Sequence, residues 1–378
     1  MAKEPPSISK RILHGLLSVP TAPFAEHYAI RHVEAFCARR TNLEVTKDSV
    51  SNILVRVRKG KRRVRRPVCI TAHLDHPGFV ADRMVKAKRL RAFWRGGVPK
   101  EYFVDSAVRF FVSEKWQKGR VRSIRTATHD GRERVETAII DVAGEVPSGS
   151  IGMWDFPDPV VRGSRIHARA CDDLAGAAAM LCAIDELARS RGSCDAYFLF
   201  TRAEEVGFIG AMAAAKLATI PKKCFVVAME TSSELAHAKM GEGPILRVGD
   251  RASTFTSAAT AHCHRIARDL EVADKSFHYQ RKLMDGGTCE SSAYCAMGYE
   301  ATGLCVALGN YHNVNAKRKR LGPEYIDLND FDNVVKWFVE LGRAPRAYTG
   351  KDEDLHAQLR TLQRSYNGLL RSSKKRAR

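Results

Sequence analysis

The sequence has no apolar run long enough to cross a membrane, and no apolar signal region follows its first residues, Met-Ala-Lys-Glu-Pro-Pro-Ser. We therefore expect neither a membrane span nor a secretion signal. The ten cysteines include no Cys-x-x-Cys pair, and several stand inside apolar runs, where free cysteine behaves as a small apolar residue. This usage predicts a reduced, cytoplasmic protein without disulfides.

Acidic residues are scarce beside basic ones: 42 Asp and Glu stand against 62 Lys and Arg, a net charge of +20. Such an excess can serve an acidic partner, although an arginine-rich solvated surface explains it more simply. The stretch Arg56–Arg66 fits a phosphate-binding patch or, preferably, a charged hairpin tip at a sheet edge. No recognisable nucleic-acid module is present and the basic segments lack interleaved aromatics, so nucleic-acid binding is a distant alternative.

Apolar periodicity predicts an α/β fold with a smaller unit inserted into it. The inserted unit has dense Gly and Pro punctuation and period-two segments, such as Tyr102–Val104 and Thr137–Val142, which predict a small all-β domain of short strands. We predict four parts: 1–78 and 168–345 form the larger α/β domain, 79–167 forms the inserted β domain, and 346–378 forms a C-terminal helix with a basic tail, Arg371–Arg378.

Acidic residues and histidines recur at the boundaries of predicted elements. Glu204 and Glu205 directly follow a predicted buried strand that ends near Phe200. Comparable positions, beyond a strand or at a helix start, are held by His73, Asp172, Glu230 and His312. Taken singly, each has a simpler explanation as a solvated loop, a helix cap or a buried histidine. In an open α/β sheet, however, ligands bind beyond the carboxyl ends of the strands, so the set predicts a site.

The chemistry of this set favours metal ions. Two imidazoles and three carboxylates can hold two divalent ions if one carboxylate bridges them, and such ligands suit zinc, cobalt or manganese. One glutamate of the Glu204–Glu205 pair would then be left to move a proton, which metal-assisted hydrolysis requires. The spacing of His73 and Asp75 allows one residue to bind metal while the other orients it. These residues alone do not say which glutamate is the ligand and which is the base.

Three sequence blocks are similar to those of one known family. They are Ala72–Phe79, Cys171–Gly176 and Ala203–Ala211, with the patterns Ala-His-x-Asp-x-x-Gly-Phe, Asp-Asp-x-x-Gly and Glu-Glu-Val-Gly-x-x-Gly-Ala. They resemble the glutamyl-aminopeptidase/tetrahedral-aminopeptidase family of di-metal metallopeptidases, also called cellulase M-like. The resemblance runs from about Ile8 to Leu341, nearly the whole chain.

The resemblance implies a fold and an assembly. The fold is a three-layer sandwich with a mixed central sheet, as in zinc peptidases, plus an inserted, barrel-like β domain. The assembly is a homo-oligomer, in which dimers formed through the β domain build a dodecamer.

The resemblance also implies a role for each site residue. His73 and Glu205 would each bind one metal ion, and Asp172 would bridge both. Glu230 and His312 would complete the two sites, which would hold two divalent ions, zinc first, with cobalt or manganese as alternatives. Glu204 would be the general base and later the acid, and Asp75 would orient His73. The Asp172–Asp173 peptide bond would be cis, as in related peptidases.

Some positions depart from the family pattern. Glu230 and Cys289 stand where the family usually has Asp. His312 directly follows Tyr311, whereas the family has a longer motif before its histidine. We interpret Cys289 as a buried structural cysteine rather than a reactive thiol. Glu290 is the candidate acid for binding the free amine of a substrate.

The sequence therefore predicts a di-metal aminopeptidase that removes N-terminal residues from peptides through a metal-bridging water and Glu204. A metal-dependent amidohydrolase or deacylase acting on a small non-peptide amide is the alternative, because the departures lie near the substrate end of the site. A glycosidase is disfavoured, because the acids fit a metal cluster better than a glycosidase carboxylate pair.

Overall fold

The structure is a computed structural model that describes residues 7–61, 63–129 and 131–373. Most of the predicted basic tail, 374–378, lies outside the described residues, as do the first six residues and one arginine of the basic stretch. The α-helices are α1 (Ile8–Leu17), α2 (His27–Ala38), α3 (Leu174–Arg189), α4 (Ile209–Lys216), α5 (Ser257–Ala273), α6 (Glu290–Ala296), α7 (Leu328–Arg343) and α8 (Glu353–Ser373).

The strands fall into groups along the chain. Before the inserted segment come β1 (Leu43–Lys47), β2 (Ile53–Lys59) and β3 (Val68–His73). The inserted segment holds β4 (Gly78–Lys86), β5 (Arg89–Arg95), β6 (Ala107–Val112), β7 (Lys115–His129), β8 (Arg132–Val142) and β9 (Ile151–Trp154). Two short strands follow, β10 (Val160–Arg162) and β11 (Arg165–Ala168). The remainder are β12 (Cys194–Thr201), β13 (Phe225–Ser233), β14 (Ile245–Asp250), β15 (Gln280–Met284), β16 (Ala301–Leu308), β17 (Val314–Asn315), β18 (Arg320–Leu321) and β19 (Glu324–Asp327).

Local chemistry sets several helix ends. The Ser7 hydroxyl accepts a hydrogen bond from the Lys10 amide at 3.3 Å, which satisfies an otherwise free N–H at the start of α1. Asp327 does the same for the Asn329 amide at 2.8 Å at the start of α7. The peptide bond between Asp172 and Asp173, just before α3, is cis, as the resemblance implies.

The central sheet is mixed, with strand order β1-β2-β12-β3-β13-β16-β14-β15. The four middle strands, β12, β3, β13 and β16, run parallel to one another. The pairs β1–β2, β2–β12 and β14–β16 are antiparallel. The carboxyl ends of the four parallel strands therefore meet at one edge of the sheet, where a ligand site is expected.

Both faces of the central sheet are buried. In β12, Phe198 and Phe200 belong to the largest apolar core, together with residues of α1, α3 and α7. The alternating residues Tyr197 and Leu199 belong to a separate core with residues of α4 and α6. A strand covered on both faces reads as a continuous apolar run, which is how the sequence predicts it.

The inserted segment forms a closed antiparallel barrel with strand order β4-β5-β8-β7-β6-β9. Its interior is filled by aromatic side chains, including Phe79, Trp94, Phe103 and Trp154, whose rings meet mostly edge to face. The mixed sheet and the barrel confirm the predicted combination of an α/β unit with a small β unit. The predicted strand around Tyr102 is wrong: Lys100–Tyr102 forms a 3-10 turn that places Phe103 in the barrel core.

The described part of the basic stretch is not a hairpin tip at a sheet edge, because β2 and β3 are separated by β12, so that interpretation is wrong. Its first residues form β2, which is an interior strand between β1 and β12. Arg56 pairs with Asp195 at 3.0 Å, and Arg66 pairs with Glu300. Among the described residues, no helix has the length and apolarity that crossing a bilayer requires. All ten cysteines are free.

Candidate active site

The carboxyl ends of the parallel strands carry the predicted site residues to one place. His73 is the last residue of β3, and Glu204 and Glu205 follow β12 by three and four residues. Glu230 lies within β13, and His312 follows β16. Asp172 stands between β11 and α3. These six residues come from segments that are distant in the chain and adjacent in the sheet.

The six side chains form overlapping groups that could hold metal ions. One group is His73, Asp172 and Glu230, and a second is Asp172, Glu205 and His312. A third combines His73 with Glu204 and Glu205. In each group, one donor atom from each residue lies within 4.8 Å of the others. Asp172 belongs to the first two groups, so its carboxylate lies between two adjacent sets of donors.

Unsatisfied atoms in these groups test whether the residues fit a cation. The imidazole Nε2 atoms of His73 and His312 are buried without a hydrogen-bond partner, as are Asp172 Oδ1 and Glu205 Oε1. Buried polar atoms nearly always have a partner, because burial without one costs about 1–3 kcal/mol each. The four atoms belong to residues grouped closely enough to hold metal ions, and imidazole and carboxylate donors suit a divalent cation, so the residues fit the metal ions that the sequence implies.

The pKa shifts within the cluster also favour a bound cation. Burial alone would lower the pKa of His73, but the surrounding Glu204 and Asp172 carboxylates raise it well above its usual value. The His73 Nε2 atom lies 3.4 Å from Asp172 Oδ1 and 3.5 Å from Glu230 Oε1. Burial and the neighbouring Glu230 carboxylate raise the pKa of Asp172 well above its usual value. Positive charge among these acids would relieve their mutual repulsion.

Asp75 contacts the glutamate pair more closely than it contacts the His73 ring. Its Oδ1 accepts a hydrogen bond from the Glu204 amide at 3.0 Å, and its Oδ2 accepts one from the Glu205 amide at 3.1 Å. The His73 Nδ1 lies 3.1 Å from the backbone carbonyl of Asp75 and 3.6 Å from its carboxylate. Asp75 therefore positions both the histidine and the turn that carries the two glutamates.

Glu204 lies beside the cluster. Its Oε2 is 4.0 Å from His73 Nε2, and the residue is 8% exposed, so it is buried yet lines the cavity. Burial, together with the Glu230, Glu205 and Asp75 carboxylates, raises the pKa of Glu204 well above its usual value. Its carboxyl is therefore suited to gaining a proton during a reaction and giving it up again.

Glu324, on β19, is a site residue that the sequence analysis missed. Its buried carboxylate accepts hydrogen bonds from the amides of Cys171 at 2.7 Å, Asp172 at 3.1 Å and His312 at 2.8 Å. His312 has a positive φ of 52°, which non-glycine residues seldom adopt. Glu324 thus stabilises the backbone of two predicted ligands, and its distance from the predicted blocks left no signal in the sequence.

Glu290 does not join this group, which corrects its assignment as the acid that binds the substrate amine. Its buried carboxylate accepts hydrogen bonds from the hydroxyls of Thr71 at 3.0 Å and Thr201 at 2.5 Å. It is absent from the described residues that line the cavity. Cys289 is also buried, and burial raises the pKa of its thiol to about 12, in agreement with a structural role.

A cavity of about 700 Å³ opens over the cluster, and both parts of the protein line it. The barrel contributes the loop Gly96–Pro99 and the first part of β8, Glu133–Val135. The Gly97 carbonyl lies 2.7 Å from Nδ1 of His312, so the barrel loop orients a predicted ligand. The combination of cavity and acidic cluster is the arrangement expected of an active site.

Arg247, on β14, is a second residue that the sequence analysis missed. It is 2% exposed and lines the cavity close to Glu230. One of its nitrogens donates to the Ser232 hydroxyl at 3.1 Å, whereas its Nε is buried without a partner. Arg251 also lines the cavity, so the wall bearing these residues carries two guanidinium groups. The short strand β14, in which Arg247 interrupts the apolar residues, was not predicted, which is why neither arginine was placed.

Comparisons with known proteins agree with this geometry. A family model described as M42 glutamyl aminopeptidase matches residues 52–320. A protein of Acetivibrio thermocellus named "Putative aminopeptidase" is 25% identical over 316 residues, which cover 79% of this chain and 87% of that protein. Similar solved structures include an aminopeptidase of Desulfurococcus kamchatkensis, with a TM-score of 0.71 and 19% identity, covering 89% of this chain and 94% of the other. The Pyrococcus horikoshii TET1 peptidase has a TM-score of 0.70 and 18% identity, covering 88% of this chain and 99% of the other. The structural likenesses show a shared fold.

Proposed function

Because the chain belongs to the M42 glutamyl aminopeptidase family and is therefore a peptide-bond hydrolase, we propose that it removes N-terminal residues from peptides with two divalent ions. The observation that carries this proposal is the set of four buried, unpartnered donor atoms on His73, Asp172, Glu205 and His312. The position of Asp172 in two overlapping groups supports a carboxylate shared by two ions.

We assign His73, Asp172 and Glu230 to one ion and Asp172, Glu205 and His312 to the other, with zinc as the first candidate. Cations bound there would polarise the scissile carbonyl and lower the pKa of a coordinated water. The same residues would hold the ions near Glu204, which lies outside both sets and is free to exchange a proton.

Glu204 acts as general base and then as general acid. Its carboxylate takes a proton from the attacking water, whose oxygen forms a bond with the carbonyl carbon. As the carbon–nitrogen bond breaks, Glu204 gives the proton to the departing amine. The two amide hydrogen bonds from the glutamate turn to Asp75 keep Glu204 in place during both transfers.

The cavity favours an acidic N-terminal residue. The substrate side chain must lie within reach of the reacting carbonyl, and the guanidinium of Arg247 is on the cavity wall beside Glu230. A guanidinium on the cavity wall can donate to a carboxylate, and charge-assisted bonds of this kind are among the stronger hydrogen bonds in proteins. The description of the family as glutamyl aminopeptidases agrees with this preference.

Metal analysis combined with a substrate panel tests the proposal. We expect about two divalent ions per chain after purification without chelator, and release of arylamine from glutamyl and aspartyl arylamides. Cleavage of N-acyl amino acids without cleavage of aminoacyl arylamides would favour the amidohydrolase alternative. A metal-free protein that is inactive on both substrate classes, yet shifts a random DNA duplex at low salt, would favour nucleic-acid binding.

The predicted organisation is part of the same proposal. We propose a catalytic α/β domain in two parts, 1–78 and 168–345, a barrel domain over 79–167 and a C-terminal segment over 346–378. The two separate apolar cores on opposite faces of the sheet support a three-layer arrangement. A homo-oligomer formed through the barrel is supported by the Pyrococcus horikoshii TET1 peptidase, which can assemble into a tetrahedron or an octahedral shell. The ten unpaired thiols support a cytoplasmic location.

A further inference from the structure

Glu290 is a buried carboxylate that the proposed mechanism does not use. The residue is 1% exposed, and within the described parts of the chain no guanidinium or ammonium group lies within ion-pair distance of it. Burial raises the pKa of its carboxyl to about 7. Glutamate is almost never fully buried unless it is paired, because an unpaired charge is costly to remove from water. Its position therefore requires an explanation.

Two threonine hydroxyls bind the Glu290 carboxylate, and they come from neighbouring strands. Thr71 on β3 donates to one oxygen at 3.0 Å, and Thr201 at the end of β12 donates to the other at 2.5 Å. Thr71 stands two residues before His73 on the same face of β3, and Thr201 stands three residues before Glu204. One carboxylate therefore joins the ends of the two strands that carry a predicted metal ligand and the predicted base.

The chain on the N-terminal side of Glu290 belongs to the cavity wall. Glu290 begins α6, and the loop Gly286–Thr288, which ends two residues earlier, lines the cavity. Between them, the Cys289 amide donates to the Asp250 carboxylate at the end of β14 at 3.0 Å. Because β14 also carries Arg247, the loop and this guanidinium belong to one wall of the cavity.

We propose that Glu290 is a positioning residue that holds this wall at a fixed distance from the strand ends that carry His73 and Glu204. The inference rests on the peptidase function proposed above. In that reaction the N-terminal side chain of the substrate contacts the wall, while its scissile carbonyl must lie beside Glu204. Both contacts form together only if the wall and the strand ends keep their spacing. A misplacement of about 1 Å can lower a rate about 100-fold.

Core packing alone does not account for this carboxylate. An apolar side chain could fill the same space without the cost of burying a carboxyl group. A carboxylate has two acceptor oxygens on one carbon, so it can bind a hydroxyl from each strand at the same time. The chemistry of the residue thus matches a link between three segments better than it matches a filler of space.

Glu290→Ala tests the proposal with two substrates. The side chain of a glutamyl arylamide is long enough to contact the wall, whereas the methyl group of an alanyl arylamide is too short. We expect kcat to fall about 10- to 100-fold for the glutamyl substrate and clearly less for the alanyl substrate. The ratio of the two kcat values does not depend on the fraction of folded protein. Metal content should equal that of the wild type, because Glu290 belongs to none of the groups described above that could hold metal ions.

Two further variants separate the link from a loss of folding. In Glu290→Gln, the amide oxygen accepts from one threonine hydroxyl and the NH₂ group donates to the oxygen of the other, so the ratio should return to the wild-type value. Thr71→Val removes one of the two hydroxyls and keeps the shape of the side chain and its preference for a strand. It should change the ratio in the same direction as Glu290→Ala, and it replaces that variant if Glu290→Ala does not fold.

The outcomes separate this role from the proposed activity. An active Glu290→Ala or Thr71→Val variant with the wild-type ratio of kcat values would overturn the positioning role and leave the peptidase function standing. A wild-type protein that cleaves neither arylamide would refute the peptidase function, and the positioning role with it.

Discussion

Oδ1 of Asp75 accepts a hydrogen bond from the backbone amide of Glu204 at 3.0 Å, so an acid at the end of one strand fixes the turn after the neighbouring strand. Its second oxygen accepts from Glu205 at 3.1 Å. An amide in place of the carboxylate offers only one acceptor oxygen, and its NH₂ group would face a backbone N–H. Asp75→Asn should therefore lower kcat/KM by about 10- to 100-fold, with a parallel loss of metal affinity.

The control for this variant is Asp82→Asn in the barrel, where the carboxylate accepts from Arg91 at 2.6 Å, outside the residues that line the cavity. Steady-state kinetics and metal titration on both proteins provide the comparison. Equal activity of the Asp75→Asn variant and the wild type would show that the two amide contacts do not affect the reaction.

The two adjacent glutamates should respond differently to removal of their charge. Glu204→Gln should keep its metal ions and lose about 10²- to 10⁴-fold in kcat, because the group that moves the proton is gone. Glu205→Gln should lose metal, because it removes a ligand. Metal content measured beside turnover separates the two effects, and a Glu204→Gln variant with wild-type turnover would refute the assigned role.

Arg247 should determine the preference for acidic substrates. Its replacement by the neutral, similarly long Met should lower kcat/KM for glutamyl arylamides by about 10- to 100-fold, the equivalent of 1.5–3 kcal/mol for a charge-assisted hydrogen bond. Cleavage of leucyl arylamides should change little. Arg281→Met on β15, outside the residues that line the cavity, is the matched control. An unchanged ratio of the two substrates would place acid recognition elsewhere.

Glu324 should matter although it lies behind the predicted ligands. Glu324→Gln leaves one oxygen for three amides and turns an NH₂ group toward the others. We expect about a 10- to 100-fold loss in metal affinity or activity, as is typical of residues that support metal ligands. Glu340→Gln on the outer part of α7 serves as control. Metal affinity equal to that of the wild type would show that the backbone at Asp172 and His312 is held without this carboxylate.

His262, on α5, should make the protein sensitive to mild acid. Burial, reinforced by Arg265, lowers the pKa of His262 to about 4, and its ring packs against Phe225 and Tyr348. In the folded protein His262 therefore stays neutral at pH values at which the unfolded chain, with a histidine pKa of about 6.5, is protonated. The free energy of unfolding falls as the pH drops from 7 to 5, and His262 accounts for about 2 kcal/mol of that fall. Above that pH range, the neutral ring makes its full contribution to the free energy of unfolding.

His262→Phe should remove this part of the acid sensitivity, whereas His278→Phe, at an exposed position, should not. Urea unfolding at pH 7 and pH 5 measures the difference. If all three proteins lose equal stability between the two pH values, His262 is not the responsible group.

The sequence predicts the sheet well because strands buried on both faces have continuous apolar runs. It places His73, Glu204, Glu205 and Glu230 at one edge, since parallel strands end together. It fails where an element is short and its apolar run is interrupted, as with β14 and its Arg247. Glu324 could not be predicted for another reason. Its carboxylate accepts hydrogen bonds from backbone amides far away in the chain, and no local sequence pattern indicates such contacts.

Glu290 shows the opposite error. It stands at a helix start close to the predicted substrate end, which made it a candidate, but the sequence does not specify which way its side chain turns. The hydroxyls of Thr71 and Thr201 stabilise the carboxylate inside the fold. Three-dimensional packing decides between the two directions.

The hydrogen bond between the Gly97 carbonyl and the His312 ring joins the barrel to the cluster of acids and histidines. The free energy that orients this imidazole therefore depends on the position of the barrel loop. By reciprocity, a ligand that binds the imidazole and a contact that fixes the barrel each strengthen the other. A partner that bound the barrel and changed the position of this loop would therefore alter the site without touching it.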